Sequence, residues 1–319
     1  MQRRNFLRQI SLSGAGLLAS SRVFSIAPAA SRKPLKIGFI TDLHHLQFGV
    51  HEDARMKVFM DAVMRESPDF ILQCGDFCRP VGSDGIMAQW NRFKGPKYHV
   101  LGNHDMDVCD KATIMKLWGM EKNYYSFDTG GYHFIVMDRN FLKQSDGKLT
   151  DYNNSNWSPF SSPFRSFTDE AQLEWLKADL AQAKAPSIVF MHQPVFLSDW
   201  FTELGNAADI LQIFDAHNLQ AKQNGANNAV TAVFMGHDHD DRYGERNGVH
   251  YFIMNSASYV YTDSGAHYYK DPLFAFLHLD PAGTLRISGM ATTFRDVVPD
   301  KVKARFPTTI SHHTLSLKK

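Results

Sequence analysis

The chain has 319 residues, with 34 Lys and Arg against 33 Asp and Glu, a formal net charge of +1. That balance gives no electrostatic footprint for nucleic acid or an anionic membrane, and three cysteines, an odd number, exclude a full disulfide framework. Four of the arginines and none of the acids fall in the first thirty positions, so the rest of the chain carries 30 basic and 33 acidic side chains, a net charge of −3. About 290 residues then remain, enough for one large α/β domain with a substantial core.

The leader, residues 1–30, holds Arg3-Arg4-Asn5-Phe6-Leu7-Arg8, a mildly apolar stretch at Ile10–Ala19 and a small-residue site at Ala27-Pro28-Ala29. Together these read as a signal peptide. The segment resembles a twin-arginine export motif, which implies Tat export machinery as a partner, transport in the folded state and a periplasmic or secreted location. Its apolar stretch is too short and too rich in Ser and Gly to span a bilayer, which takes about 20 residues. No stable membrane insertion of the mature chain is expected, and without a cysteine in the leader a lipoprotein anchor is excluded.

From there, strand-like and helix-like patterns alternate, predicting one α/β domain over residues 31–300 and a polar C-terminal tail over 301–319. Five apolar, strand-like runs (Lys36–Ile40, Phe70–Gln73, Tyr98–Leu101, Ile188–Met191 and Val230–Met235) each end where the chain turns into a polar motif. The motifs are Asp42-Leu43-His44, Gly75-Asp76, Gly102-Asn103-His104-Asp105, His192 and Gly236-His237-Asp238-His239. Between them, Met56, Phe59, Met60 and Val63 mark a helical face over 53–66, and Leu173, Trp175, Leu176 and Leu180 another over 169–184. Val249–Met254, Leu273–Leu279 and Leu285–Met290 read as later strands separated by turns.

In α/β proteins, reactive side chains collect at the carboxyl ends of strands, so these five motifs converge on one edge. Asp42 and His44, like His237 and His239, are two residues apart, a spacing that in extended backbone points both side chains the same way. Carboxylate, imidazole and amide oxygen suit first-row divalent or trivalent metals better than sulfur-seeking ones. Cys74 continues a strand as a buried thiol, whereas one bridge between Cys78 and Cys109 stays open. The plainer readings leave His45 facing away or meeting substrate, Asp238 in support on the opposite face, Asp240 and Asp241 solvated, and His312 and His313 as part of the tail.

In this order the motifs D-x-H, GD, GNH[D/E], H and GHxH resemble the calcineurin-like metallophosphoesterases, over roughly residues 35 to 290. Tyr124-Tyr125-Ser126-Phe127, the following Tyr132–Asp138 and an amphipathic Thr168–Leu180 add to the likeness. The resemblance implies a sandwich of two mixed β-sheets flanked by α-helices. It implies two metal ions (Mn, Fe or Zn), one held by Asp42, His44 and His239, the other by Asn103, His192 and His237, with Asp76 bridging. It implies hydrolysis of a small phosphorylated substrate by a hydroxide shared between the metals, with His104 handling the leaving-group proton and Asp105 orienting it. Phosphomonoesterase, phosphodiesterase and pyrophosphatase readings stay open, as does a non-catalytic metal-binding role on the same scaffold. Phe77 and Cys78 follow Asp76 where purple acid phosphatases carry an iron-binding tyrosine, which argues against that subtype.

Substrate choice is expected in two long polar segments, Asn140–Phe167 and Leu197–Asn228, of a length that usually marks binding loops. The first contains Tyr152 and Trp157, both candidates for substrate contact. Arg79 and Arg139, just after site-proximal turns, are candidates for the substrate phosphate.

Overall fold

Alternation of apolar residues along the strands sets the layers of this protein, seen in a computed structural model that describes residues 33–47, 52–158, 165–199 and 204–318. In chain order come β1 (Leu35–Ile40), α1 (Glu52–Glu66), β2 (Phe70–Cys74), α2 (Asp84–Trp90), β3 (Lys97–Val100), a 3-10 turn (His104–Met106) and α3 (Lys111–Trp118). Next are β4 (Tyr125–Thr129), β5 (Tyr132–Val136), β6 (Phe141–Lys143), β7 (Leu149–Asp151), α4 (Glu170–Gln182), β8 (Ser187–Phe190) and α5 (Ala207–Gln223). The last third holds β9 (Val230–Met235), β10 (Arg242–Arg246), β11 (Val249–Ile253), β12 (Tyr259–Thr262), β13 (Gly265–Tyr268), β14 (Ala275–Leu279), β15 (Thr284–Gly289), α6 (Asp300–Arg305) and β16 (His313–Ser316).

Two six-stranded mixed sheets form, in the orders β16-β15-β14-β1-β2-β3 and β10-β11-β9-β8-β5-β4. Each contains a parallel run, β1-β2-β3 in one and β11-β9-β8-β5 in the other. Ile37, Phe39, Phe70 and Leu72 of the first sheet meet Phe134, Val136, Phe190 and Phe234 of the second in the central core. The rings of Phe39, Phe134, Phe190 and Phe234 pack at centroid distances of 5.5 to 6.2 Å; burying each contributes roughly 1.5–3 kcal/mol. The intervening residues face outward: Ile40 and Ile71 pack with α1, and Ile135, Val189 and Val233 with α4 and α5. The architecture is the α/β sandwich, helix-flanked on both faces, that the family resemblance implied. Among the described residues, no helix is long and apolar enough to cross a membrane.

The structure departs from two expectations. The segment 197–228 is not one long loop, because Ile210, Ile213 and Phe214 form a buried stripe that makes 207–223 a helix. Residues 301–319 are not a tail: α6 runs into β16, which pairs antiparallel with β15, and His313 packs against Tyr243 and Phe252. The pairing of Cys78 with Cys109, left open by the sequence, is not made. All three cysteines are free and buried; the Trp118 indole donates to Cys78 Sγ (3.4 Å) and the Cys109 thiol donates to the Asp105 carbonyl (3.3 Å). The export leader lies outside the described residues.

Candidate metal centre

The loops after β1, β2, β3, β8 and β9 do meet at one edge, fastened by backbone hydrogen bonds. The Asp42, His44 and His45 amides donate to the carbonyls of Gly75 (3.0 Å), Asp76 (2.8 Å) and Phe77 (3.2 Å), extending the β1–β2 pairing into the motifs. The Gly236 amide donates to the His192 carbonyl (3.0 Å) in the same way. Gly75 sits at φ +97°, and a Cβ there would overlap the His192 ring; one at Gly102 would overlap the Asp76 amide nitrogen. Close approach, more than turning, requires these two glycines.

The i, i+2 alignment arises differently from extended backbone. Asp42, His44, Asp76, His237 and His239 all have positive φ, between 49° and 71°. For residues with side chains this costs roughly 1 kcal/mol or more each and persists only where the surroundings over-determine it. Five of the seven proposed ligands are held in that region, so the backbone itself is shaped around the site.

The seven donors fall into two overlapping groups. His44 Nε2 and His239 Nε2 lie 2.8 Å apart and face Asp42 Oδ1 at 3.6 and 3.2 Å. His192 Nε2 lies 3.0 Å from Asp76 Oδ2, and His237 Nδ1 lies 2.9 Å from Asn103 Oδ1. Asp76 Oδ2 is also 3.7 Å from His44 Nε2, which places this carboxylate between the groups. Donors bound to one first-row cation at about 2.0–2.2 Å stand about 3 Å from one another, so the donor set and its spacing fit two cations that share Asp76. Supporting bonds aim the rings: His192 Nδ1 donates to the Cys74 carbonyl (2.8 Å), and His44 Nδ1 bonds to Gln47 Oε1.

Charge is concentrated to match. Burial alone would raise Asp42, but His192, His239 and His44 outweigh it and hold its carboxyl well below the usual range. Burial likewise opposes ionisation of Asp76, and His192 and His104 overcome it. His192, which burial would lower, is pushed up to about 10 by Asp76 and Asp42. Two buried carboxylates thus demand positive charge, and a bound cation would displace the proton that otherwise meets that demand.

His104, a quarter exposed at its side chain, contributes a ring nitrogen to a group with His44 and Asp76 in which donor atoms lie within 4.8 Å of one another. Asp105 does not orient it. Its buried carboxylate accepts from the backbone amides of Asp76 (3.0 Å), Phe77 (2.7 Å) and Gly102 (2.8 Å), fixing the loop that carries Asp76. Asp107 takes the expected role instead: its Oδ2 lies 3.0 Å from His104 Nδ1, while Arg79 Nη2 donates to the same oxygen (3.2 Å) and Ser155 Oγ to Oδ1 (3.2 Å). Gln47 lies between the two histidines, with Oε1 bonded to His44 Nδ1 and Nε2 against the His104 ring. Sequence reasoning missed both residues. Each stands three positions after a motif histidine, a reach that a tight turn closes.

Of the substrate candidates, Trp157 packs edge-on against His104, with ring centroids 4.5 Å apart. Arg79 reaches the site through Asp107. Arg139 and Tyr152 do not face it. Both are buried, with the Arg139 guanidinium donating to the Ser166 (2.5 Å) and Leu204 (2.6 Å) carbonyls and the Tyr152 hydroxyl accepting from the Ser166 amide (2.8 Å). They tie loops together, because buried carbonyls need donors. His45 faces away, 3.1 Å from the Gly82 carbonyl, and Asp240 and Asp241 are bonded rather than solvated, to Arg242 and Ser311 respectively.

Paired sheets delivering this donor set to one edge define a metallophosphoesterase-type sandwich. The chain belongs to the calcineurin-like phosphoesterase family, whose sequence profile matches residues 35–241. Among curated relatives it is 23% identical over 284 residues to purple acid phosphatase 23 of Arabidopsis thaliana, covering 75% of this chain and 53% of that one, so the chain spans about half the length of the plant protein. It is 23% identical over 271 residues to a 3′,5′-cyclic-nucleotide phosphodiesterase of Nostoc sp., covering 79% and 90%. In fold it resembles a dimetal phosphatase from Danio rerio (TM-score 0.64, 16% identity, 89% and 99% covered) and the GAP50 anchor of the Plasmodium inner membrane complex (TM-score 0.56, 16% identity, 90% of each chain).

Proposed function

We propose that this protein is a two-cation hydrolase of phosphoester bonds, acting as a phosphomonoesterase or phosphodiesterase on a small phosphorylated substrate. The observation that carries the reading is the pair of donor groups sharing Asp76 beside His104. Asp42, His44 and His239 would hold one cation and Asn103, His192 and His237 the other, with Mn, Fe or Zn all compatible with these donors. When bound, the cations supply charge that acidifies water and neutralises phosphate oxygens. The chain's own residues do the rest. His104 gives a proton to the departing alkoxide, Asp107 holds the imidazole through Nδ1, and Asp105 keeps the Asp76 loop in place. Phe77 supports a non-purple subtype, since it is buried against Trp90 and Trp118 instead of reaching the donors.

The test is an activity panel of mono-, di- and pyrophosphate esters on the mature protein, with and without a chelator. Turnover of one ester class, abolished by chelation and restored by Mn²⁺, is expected. Inactivity on every ester with both cations bound would instead favour a binding role on this scaffold. Export in the folded state is part of the proposal and rests on Arg3-Arg4. Replacing both by Lys should trap active, uncleaved precursor in the cytoplasm, and normal export of that variant would contradict it.

A further inference from the structure

The strained loops need external fastening, and much of it comes from the C-terminal segment. Arg305 of α6 donates through Nη1 to Asp240 Oδ2 (2.8 Å), the residue next to His239, and through Nη2 to Asp199 (3.1 Å). Arg242 grips the same two carboxylates, with Nε 2.6 Å from Asp240 Oδ2 and Nη2 2.7 Å from Asp199 Oδ2. One position on, Asp241 Oδ2 accepts from the Ser311 amide (2.9 Å) and hydroxyl (2.5 Å), just before β16. The loop carrying His237 and His239 is thus pinned from its carboxyl side by residues 305–311.

The same segment reaches the Asp42 loop by a second route. The Pro307 and Thr309 carbonyls accept from Asn255 Nδ2 (2.7 and 3.1 Å), and the Tyr269 hydroxyl donates to Asn255 Oδ1 (2.9 Å). The neighbouring Ser256 hydroxyl donates to the Asp42 carbonyl (2.8 Å), and Ser258 donates to the Leu43 carbonyl (2.8 Å). Both routes end on the loops holding Asp42, His44 and His239, whose φ values are 54°, 54° and 49°. Of the other position's donors only His237 shares a clasped loop; His192 and Asn103, on the loops after β8 and β3, receive no hydrogen bond from this segment among the described residues.

We infer that the C-terminal segment is a clasp that acts chiefly on one cation position, that of Asp42, His44 and His239, which both routes reach, and touches the other only through His237, with Arg305 as the positioning residue the segment contributes beside Arg242. The inference rests on the proposed two-cation reading. A group that holds ligating loops in a strained conformation acts on affinity through those loops, and loss of such support typically weakens a metal 10–100-fold.

Calorimetric titration of the metal-free protein with Mn²⁺ tests this. The step belonging to Asp42, His44 and His239 is the one that His44→Ala removes; the other is the one that Asn103→Ala weakens. Arg305→Gln should weaken the His44-dependent step by about 10-fold and the Asn103-dependent step, reached only through His237, by less, and Arg305→Lys, which keeps a donor for Asp240, should recover part of the loss. Ser311→Ala gives a second variant on the same loop and should act in the same direction. If Arg305→Gln weakens both steps equally, shifts only the Asn103-dependent step, or shifts neither, the clasp is wrong although two cations bind. If the parent takes up no second cation, the two-cation reading fails and the clasp with it.

Discussion

The two candidate cation positions are built in different ways. Asp42, His44 and His239 owe their aim to left-handed backbone, stabilised by bonds from Ser256, Ser258 and the chain beyond residue 300. His192 and Asn103 have no such backbone; His192 emerges directly from a core strand and is locked by one hydrogen bond to the Cys74 carbonyl. One position is imposed wholly by loop geometry, the other shares that geometry only at His237 and otherwise rests on the sandwich interior, and Asp76 joins them. Disturbing the shared carboxylate should therefore cost most, the proton donor next, and residues that merely hold it less.

Asp76→Ala should reduce turnover of any ester substrate to background, because both cations lose a ligand at once; full turnover in that variant would break the comparison at its joint. His104→Ala should retain both cations yet slow poor leaving groups by about 10²–10⁴-fold, with a much smaller loss for nitrophenolate. A uniform loss across leaving groups would instead assign His104 to phosphate binding. Asp107→Asn should reproduce that leaving-group trend at about a tenfold loss, whereas Asp105→Asn should disturb metal uptake through the Asp76 loop. Equal leaving-group slopes for Asp107→Asn and the parent would remove Asp107 from the proton path.

The smallest effect concerns stability away from the donors. His99 is held down to about 3, chiefly by burial and secondarily by the charge of Lys97, while the Trp90 indole donates to its Nε2 (3.2 Å). The unfolded imidazole takes its proton near pH 6.5, so from there down to about 3 the unfolded chain binds more protons. Folding stability present above pH 6.5 should be lost as pH falls through that window, at up to about 1.4 kcal/mol per pH unit. Denaturant unfolding between pH 7 and 4 should show a shallower slope for His99→Gln than for the parent; parallel slopes would place the acid sensitivity elsewhere.

The core and the five motifs were legible because strand periodicity and polar strand ends both leave a mark in a single chain. Val230–Met235 is a strand over the predicted range itself. What was not legible depended on partners far away. The buried stripe of α5 is diluted by Asp209, Gln212, Asp215 and Asn218, which made 207–223 look like polar loop. β16 alternates half-buried and exposed residues at a sheet edge, so its polar residues read as a tail. Asp105 and Asp107 are both aspartates close after His104 in the chain; only the 3-10 turn sends the first inward to three backbone amides and the second to the ring. Arg139 stood after a promising turn, yet the Ser166 and Leu204 carbonyls claim its guanidinium.

In the proposed site one carboxylate, Asp76, joins the two cation positions. Elemental analysis of the mature domain after loading with Mn²⁺ and removal of excess ion tests it most directly, on the parent and on Asp76→Ala in parallel. Two ions per parent chain are predicted, and fewer than one per chain in the variant. One ion or none in the parent, or two retained without Asp76, would mean that Asp76 does not bridge two cations.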